Sequence, residues 1–260
     1  MKIALGIEYD GSGFSGWQVQ EGDVRTVQAS LERAISKVAA HPVQTYCAGR
    51  TDAGVHGSGQ VVHFNTTAER AERAWVYGVN ANLPKDVCVL WAKPVSDEFH
   101  ARFSAKRRAY RYVIYCREVR PTFLAYRVTW SYRPLDVARM AEAARHLLGE
   151  HDFSSYRAVA CQAKSPVREI YKLEVTQQGE FIFIDVEANG FLHHMVRNIA
   201  GVLMTIGRGE QPTGWSRAVL EARDRTMGGV TAPPHGLYLS RVEYPPEYAL
   251  PQLSPPSMVW

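Results

Sequence analysis

Apolar residues recur along this chain with two alternating periods, every second position in some segments and every third or fourth in others. That alternation restricts the fold to one in which strands and helices share a core. Ile3, Leu5, Ile7 and Tyr9 alternate with small or polar residues, and Glu8 and Asp10 fall on the opposite face, the pattern of a half-buried strand. Thr26 is placed to cap a helix whose Val27, Leu31, Ala34, Ile35 and Val38 share one stripe. Residues 60–64 read as a further strand, 75–83 as a second helix and 87–91 as another strand. Strand, helix, strand with the helices segregated indicates an α+β layer rather than a doubly wound sheet.

The segment SDEFHARFSAKRR, residues 96–108, is polar and basic without apolar periodicity, and marks the join to a second half. Beyond it, 109–116 is strand-like, and 135–148 is an amphipathic helix stopped by Gly149. Residues 171–188 read as two strands turning at Gln178-Gly179. Residues 193–206 form a helix with Met195, Ile199, Val202, Leu203 and Ile206 inward, and 237–244 supply a last strand. Two halves of similar content suggest a duplicated ferredoxin-like, or RRM-like, unit, although no sequence repeat accompanies it. The expected layout is residues 1–104, residues 105–245 and a proline-rich tail, 246–260, packed on the surface or against another subunit. With 260 residues, 46% of them hydrophobic, the chain can bury two ordinary cores.

Cys47, Cys88, Cys116 and Cys161 lie far apart without a CxxC pair, which argues against a zinc site or a redox dithiol and predicts reduced, mostly buried thiols. The N-terminus enters a strand at once, and no apolar run reaches membrane-spanning length, so the expectation is a soluble cytoplasmic protein. The formal net charge is only +4, but Lys and Arg cluster, and a basic patch favours an anionic partner.

The stretch with most chemical content is Gly49-Arg50-Thr51-Asp52-Ala53-Gly54-Val55-His56-Gly57. Glycines permit positive φ and close approach of a bulky substrate, and small neighbours leave Asp52 accessible. Arg50 next to it would favour the ionised carboxylate, which can act as nucleophile, base or metal ligand. The competing reading is an Asx turn in which Asp52 only bonds its own backbone. Gly11-Ser12-Gly13-Phe14-Ser15-Gly16 matches G-x-G-x-x-G, yet it leads into Trp17-Gln18 and a polar turn rather than a helix. A dinucleotide site needs the helix N-terminus for the pyrophosphate, so the segment reads instead as a flexible loop presenting Trp17 and Gln18.

In Lys106-Arg107-Arg108-Ala109-Tyr110-Arg111-Tyr112, aromatics interleave with cations at strand period, placing Tyr110 and Tyr112 on one face and Arg111 on the other. Cations bind phosphates and an exposed tyrosine stacks on an unpaired base; the alternative is a tyrosine-lined core beneath a solvated charge run. His193, His194 and Arg197 lie within about one helical turn. Adjacent histidines chelate poorly, no H-E-x-x-H spacing occurs, and no metal site is expected from them. Arg197, on an otherwise apolar helix, calls for a carboxylate, and Asp52 is a candidate.

Taken in order, Tyr9-Asp10-Gly11, Gly16-Trp17-Gln18, the Gly49 to Gly57 run, Arg107 to Tyr112, Phe191 to Asn198, Thr231-Ala232-Pro233 and Gly236 to Leu239 resemble the TruA family of tRNA pseudouridine synthases over almost the whole length. The resemblance implies isomerisation of uridine to pseudouridine at positions 38, 39 and 40 of the tRNA anticodon stem-loop, without cofactor or metal. It implies Asp52 as nucleophile, Arg50 drawing out the target nucleotide, Tyr110 packing on the uracil, Arg197 pairing with the nucleophile and Leu237 lining the base pocket. It further implies two halves sharing a largely antiparallel sheet with helices on one side, a catalytic cleft between the halves, and a homodimer that holds one tRNA in a basic cleft. Lys106, Arg107, Arg108, Arg111, Trp17 and Gln18 are the expected RNA contacts. A tRNA-binding protein without chemistry, and a metal-dependent hydrolase using Asp52, His56 and His63, are the alternatives from other classes.

Overall fold

The structure, a computed structural model, describes residues 1–22, 24–159 and 161–251. The fold is mixed α+β, with a largely antiparallel sheet and five α-helices among the described residues. Its backbone divides into two compact units, Met1–Lys106 with the chain from Tyr238 onward, and Arg107–Leu237.

In the first unit, β1 (Lys2–Tyr9) is central, antiparallel to β3 (His56–Asn65) on one side and to β4 (Val87–Val95) on the other. The short β2 (Thr45–Cys47) pairs with the far end of β3, Tyr46 opposite His63. Helices α1 (Val27–Ala39) and α2 (Glu72–Asn80) bury Leu31, Ala34, Ile35, Trp75 and Val79 in one cluster with Ile3, Leu5, Ile7, Val62 and Phe64. The stripe foreseen for α1 is the buried one, and the Thr26 hydroxyl caps it by accepting from Ala29 N. Helix α2 starts and ends earlier than the expected 75–83. Asn80 ends it because its amide group clamps Val89 on β4, accepting from the backbone N at 2.7 Å and donating to the O at 2.8 Å.

The second unit opens with β5 (Arg107–Cys116), which runs antiparallel to β9 (Phe181–Ala188); β9 in turn pairs with β8 (Val167–Gln178) and β8 with β7 (Gly149–Asp152). A three-residue strand, β6 (Thr129–Ser131), lies parallel to the end of β5. Helix α3 (Val137–Arg145) packs on β8 and on α4 (Met195–Gly207), and α5 (Trp215–Ala222) completes the unit. The β8–β9 hairpin turns where the sequence indicates, with Gly179 at φ +59°.

The last strand, β10 (Leu237–Glu243), departs from the expected layout in its partners: Tyr238 and Leu239 pair in parallel with His56 and Gly57, so the chain from Tyr238 groups with the first unit. The same pairing, together with Tyr9 opposite Gly57, extends β3 back from residue 60 to His56 through a glycine-rich stretch. The four cysteines are free but partly exposed, not buried as expected. Within the foreseen tail, Pro246–Tyr248 forms a 3-10 turn and the Tyr248 ring meets Phe99 edge-on at 5.0 Å; residues 252–260 lie outside the described residues. Among the described residues no helix is long and apolar enough to cross a membrane.

On the face of the first unit's sheet away from α1 and α2, the segment after β4 folds over β3. The Nδ1 of buried His63 accepts the Ala101 N–H at 3.1 Å, and Tyr244 donates its hydroxyl to the Ala101 carbonyl at 2.6 Å. Burial, aided by the positive charges of the neighbouring His100 and Lys2 positions, lowers the His63 pKa to about 4. An unfolded histidine titrates near 6.5, so between pH 6.5 and 4 the unfolded chain binds a proton that the folded one refuses. Stability should therefore fall as pH drops through that window, by on the order of 2 to 3 kcal/mol from this residue. Urea unfolding at pH 7, 5.5 and 4.5 measures it, and His63→Gln should flatten the dependence.

Candidate active site

Two loops of the first unit lock together around Asp52. The loop after β2 is fixed at its base by Gln60, fully buried, whose side chain donates to Gly49 O at 2.6 Å and accepts from Gly49 N at 3.3 Å. Its next residue but one, Thr51, shares a hydrogen bond with the Tyr9 hydroxyl at 2.9 Å and accepts the Trp17 N–H on its carbonyl at 3.0 Å. Gly54, at φ +77°, donates to Phe14 O, and Gly11 N donates to His56 Nδ1 at 3.0 Å. The turn itself is closed by Val55 N donating to the Asp52 carbonyl at 3.1 Å, so it does not call on the Asp52 carboxylate. Asp52 is half-buried and Arg50 exposed.

The glycines of both loops take their reason from this packing. A Cβ on Gly11 would fall 1.9 Å from the Val55 carbonyl oxygen, and one on Gly57 would enter the Tyr9 ring at 2.6 Å. Gly16, at φ +96°, faces the Thr51 carbonyl. The G-x-G-x-x-G resemblance therefore reflects close backbone approach between two loops of the protein rather than between a loop and a pyrophosphate. The loop is also tied down rather than flexible: Asp10 caps a 3-10 turn at Gly11–Gly13, and Ser15 N bonds Arg25 O. Asp10 lies 3.3 Å from His56 Nδ1. That contact, with the Ser12 hydroxyl and N–H, outweighs partial burial and holds the Asp10 carboxyl well below the usual carboxylate range. Trp17 corrects the expectation of a presented ring: only 2% exposed, it packs at 5.9 Å from Tyr9 in the core, whereas Gln18 is exposed. The backbone N–H of Trp17 is bonded to the Thr51 carbonyl, and its indole ring joins the buried cluster with Tyr9 and Phe14.

The second unit carries the other expected residues. Tyr110 on β5 is 8% exposed, its ring edge-on to Phe191 at 5.0 Å, just ahead of α4. Tyr112, fully buried, donates to Pro233 O at 2.8 Å and shares a bond with the Thr129 hydroxyl; burial pushes its phenol well above the usual range. Arg197 on α4 donates from Nε to Ala232 O at 2.9 Å while its own carbonyl accepts from Ala232 N at 3.1 Å. The chain then passes Gly236, whose Cβ position is 2.5 Å from Val113 O, to the buried Leu237. Residues 232–237 thus tie α4 to β5 and carry Leu237 along with them. Helix α4 begins at Met195 after His194 in the left-handed region (φ 62°), two residues later than expected, because His193 precedes that reversal with its carbonyl bonded to Ala158 N.

The basic strand is less open than the sequence suggests. Arg111 forms a two-pronged bond to Asp185 at 2.7 and 2.8 Å, and Arg107 pairs with Glu187 at 3.0 Å beneath the Tyr171 ring. Arg108 donates to Asn189 O, and Lys106 is exposed. Sequence reasoning missed Tyr9, Thr51 and Gln60 as supports of the Asp52 loop. Only Gln60, a lone amide in an apolar strand, carried a signal.

Comparison with known proteins places this geometry in context. A family described as tRNA pseudouridine synthase matches residues 6–104 and 143–245. A tRNA pseudouridine synthase A of Nitrosococcus oceani is 63% identical over 260 residues, covering 100% of both chains. The protein of that name from Pseudomonas aeruginosa is 62% identical, covering 96% of this chain and 88% of its own, and that of Alcanivorax borkumensis 59%, covering 96% and 94%.

The interlocked loops make two stability predictions. Gly11→Ala forces a methyl into the Val55 carbonyl, and should cost about 1 to 3 kcal/mol and speed hydrogen exchange at the Gly54 and Val55 amides. Trp17→Ala should cost about 3 to 5 kcal/mol in urea unfolding, whereas Gln18→Ala should stay within about 0.5 kcal/mol of the parent.

Proposed function

The chain belongs to the tRNA pseudouridine synthase family, and on that premise we propose that it isomerises uridine to pseudouridine in tRNA, at positions 38, 39 and 40 of the anticodon stem-loop, with Asp52 as the nucleophile. The observation that carries the assignment to Asp52 is its place at the tip of a loop whose backbone is fixed by Tyr9, Phe14, Trp17 and Gln60. A carboxylate held on such a frame approaches a substrate in one position, which is how a single group accelerates a reaction.

The reaction breaks the N1–C1′ bond and makes a C5–C1′ bond; the proton lost from C5 is balanced by one gained at N1. No electrons leave the base and no atom is added, so the chemistry calls for no redox cofactor. It calls for a group that engages sugar or base while uracil turns, and for walls that keep uracil in place and water out. Asp52 supplies the first, by addition to C1′ or C6 or by removing the C2′ proton. Tyr110 and Leu237, both shielded from solvent within the second unit, supply apolar walls for the base. Arg50, exposed, draws the nucleotide from the stem, a step costing a few kcal/mol that stacking and phosphate contacts offset. Arg197, its guanidinium oriented by the Ala232 carbonyl, pairs with Asp52.

Family-model matches in both halves support reading the two units as duplicated ferredoxin-like halves, the first carrying the Asp52 loop and the second the Tyr110 strand and the Arg197 helix. A homodimer acting in the cytoplasm completes the proposal, with Lys106, Arg107, Arg108 and Gln18 along the RNA path. Asp52→Ala should abolish pseudouridine formation on an unmodified tRNA transcript while binding changes less than about threefold; retained turnover sinks the nucleophile assignment, and a parent protein that binds the transcript but forms no pseudouridine points to binding without chemistry. Tyr110→Phe separates the ring from the hydroxyl: activity kept means the ring acts as a wall, and a loss of about 100-fold or more makes the hydroxyl the proton acceptor at C5.

A further inference from the structure

Residues 97–104 of the polar and basic segment have no part in the site above, yet the structure builds something definite from them. On the helix-free face of the first unit's sheet, Tyr46 of β2 stacks on His63 of β3, ring centroids 5.1 Å apart and planes at 21°. His63 meets His100 at 4.6 Å, His100 meets Phe103 at 4.4 Å, and Tyr46 also meets His100 at 5.6 Å. The two inner rings are histidines and the two outer ones, Tyr46 and Phe103, are 41% and 75% exposed. Phe103 does not dangle. The turn under it is fixed by His100 Nδ1, which accepts from Arg102 N at 3.1 Å and Phe103 N at 3.4 Å, and by reciprocal bonds between His100 and Ser104.

An aromatic ring held outward by four hydrogen bonds loses little freedom on meeting a partner. Cations border the ladder: Lys2, whose ammonium donates to the Asp97 and Phe99 carbonyls, and Arg102, whose guanidinium lies 5.6 Å from the Phe103 ring. Burial and these cations push His63 and His100 down, so the inner rings stack as neutral aromatics while Lys2 and Arg102 carry the charge. Neutral rings at the centre and fixed cations at the rim match the π-faces and phosphates of unpaired nucleotides. A protein partner would instead call for a broad apolar patch with charges excluded from its core.

We propose that the exposed rings of Tyr46 and Phe103, backed by His63 and His100 and bordered by Lys2 and Arg102, form an RNA-stacking platform that holds unpaired nucleotides of the substrate tRNA outside the Asp52 site. The inference rests on tRNA being the substrate. The test measures Kd and kcat/KM with an unmodified tRNA transcript for the parent, Phe103→Ala, Tyr46→Ala, Phe103→Trp and Arg102→Ala.

Each alanine at a ring position should raise Kd about tenfold and lower kcat/KM by the same factor, leaving the slope of log Kd against log salt unchanged. Phe103→Trp should restore binding, and Arg102→Ala should reduce that slope by about one. Circular dichroism and light scattering on the same samples control for folding and oligomeric state. Kd values within twofold of the parent overturn the platform, as does a change of molecular mass in Phe103→Ala, which would assign the face to a second copy of the chain. A parent protein that forms no pseudouridine overturns the functional reading itself; an active parent with unaffected ring variants overturns the platform alone.

Discussion

The contact on which the first unit's site depends is the meeting of two backbones, Gly11 to Trp17 against Thr51 to Val55. Thr51 is its pivot, its hydroxyl bonded to Tyr9 and its carbonyl to the Trp17 N–H. Backbone can approach backbone this closely only where side chains are missing, which is why Gly11 and Gly16 stand where they do, while Gly57 leaves room for the Tyr9 ring. Buried backbone groups in such a junction must be paired, and here each loop supplies partners for the other. Asp52 inherits a fixed position from bonds that none of its own side-chain atoms need make.

Much of this fold was legible from periodicity. The stripe of α1 follows from burial on one face and the β8–β9 hairpin from its turn residues, both local to their segments; β1 and α4 depart from expectation in being buried on both faces. What escaped were features decided by distant residues. The start of β3 at His56 exists because Tyr9 and Tyr238 pair with that stretch, and the end of α2 because Asn80 clamps Val89. The three-residue β6 and four-residue β7 are too short to show a period. At the site, Asp52 and its loop were visible as residue types; the supports were not, since Tyr9, Trp17 and Gln60 read as ordinary strand and loop residues. Trp17 misled because an indole next to glycines looks displayed, while in the structure its ring is buried against Tyr9.

The second unit solves a different problem by a similar device. Arg197, on an apolar helix, is oriented by a neutral acceptor, the Ala232 carbonyl. The same six residues that orient Arg197 accept the Tyr112 hydroxyl and end at Leu237, so helix, strand and Leu237 share one support. Burial of Tyr112 is consistent with that role: a phenol far from ionisation is a donor that holds Pro233 in place. Arg107 and Arg111 illustrate the opposite choice, spending their charge on Glu187 and Asp185 across β5 and β9. Sequence alone cannot separate these two uses of arginine, because the deciding carboxylates are some 75 to 80 residues away.

A reaction that begins and ends with the same atoms places unusual weight on geometry. Hydrolysis can release its product and tolerate looseness; an isomerase that detaches a base must return it to the same sugar in a new orientation. Looseness around the reacting groups would then cost fidelity as well as rate, because each misplaced approach lets water compete. The interlock around Thr51 meets that demand with bonds between the two backbones. Glycine-rich sequence, commonly a mark of mobility, here produces the opposite: it permits the close approach that makes the loop rigid.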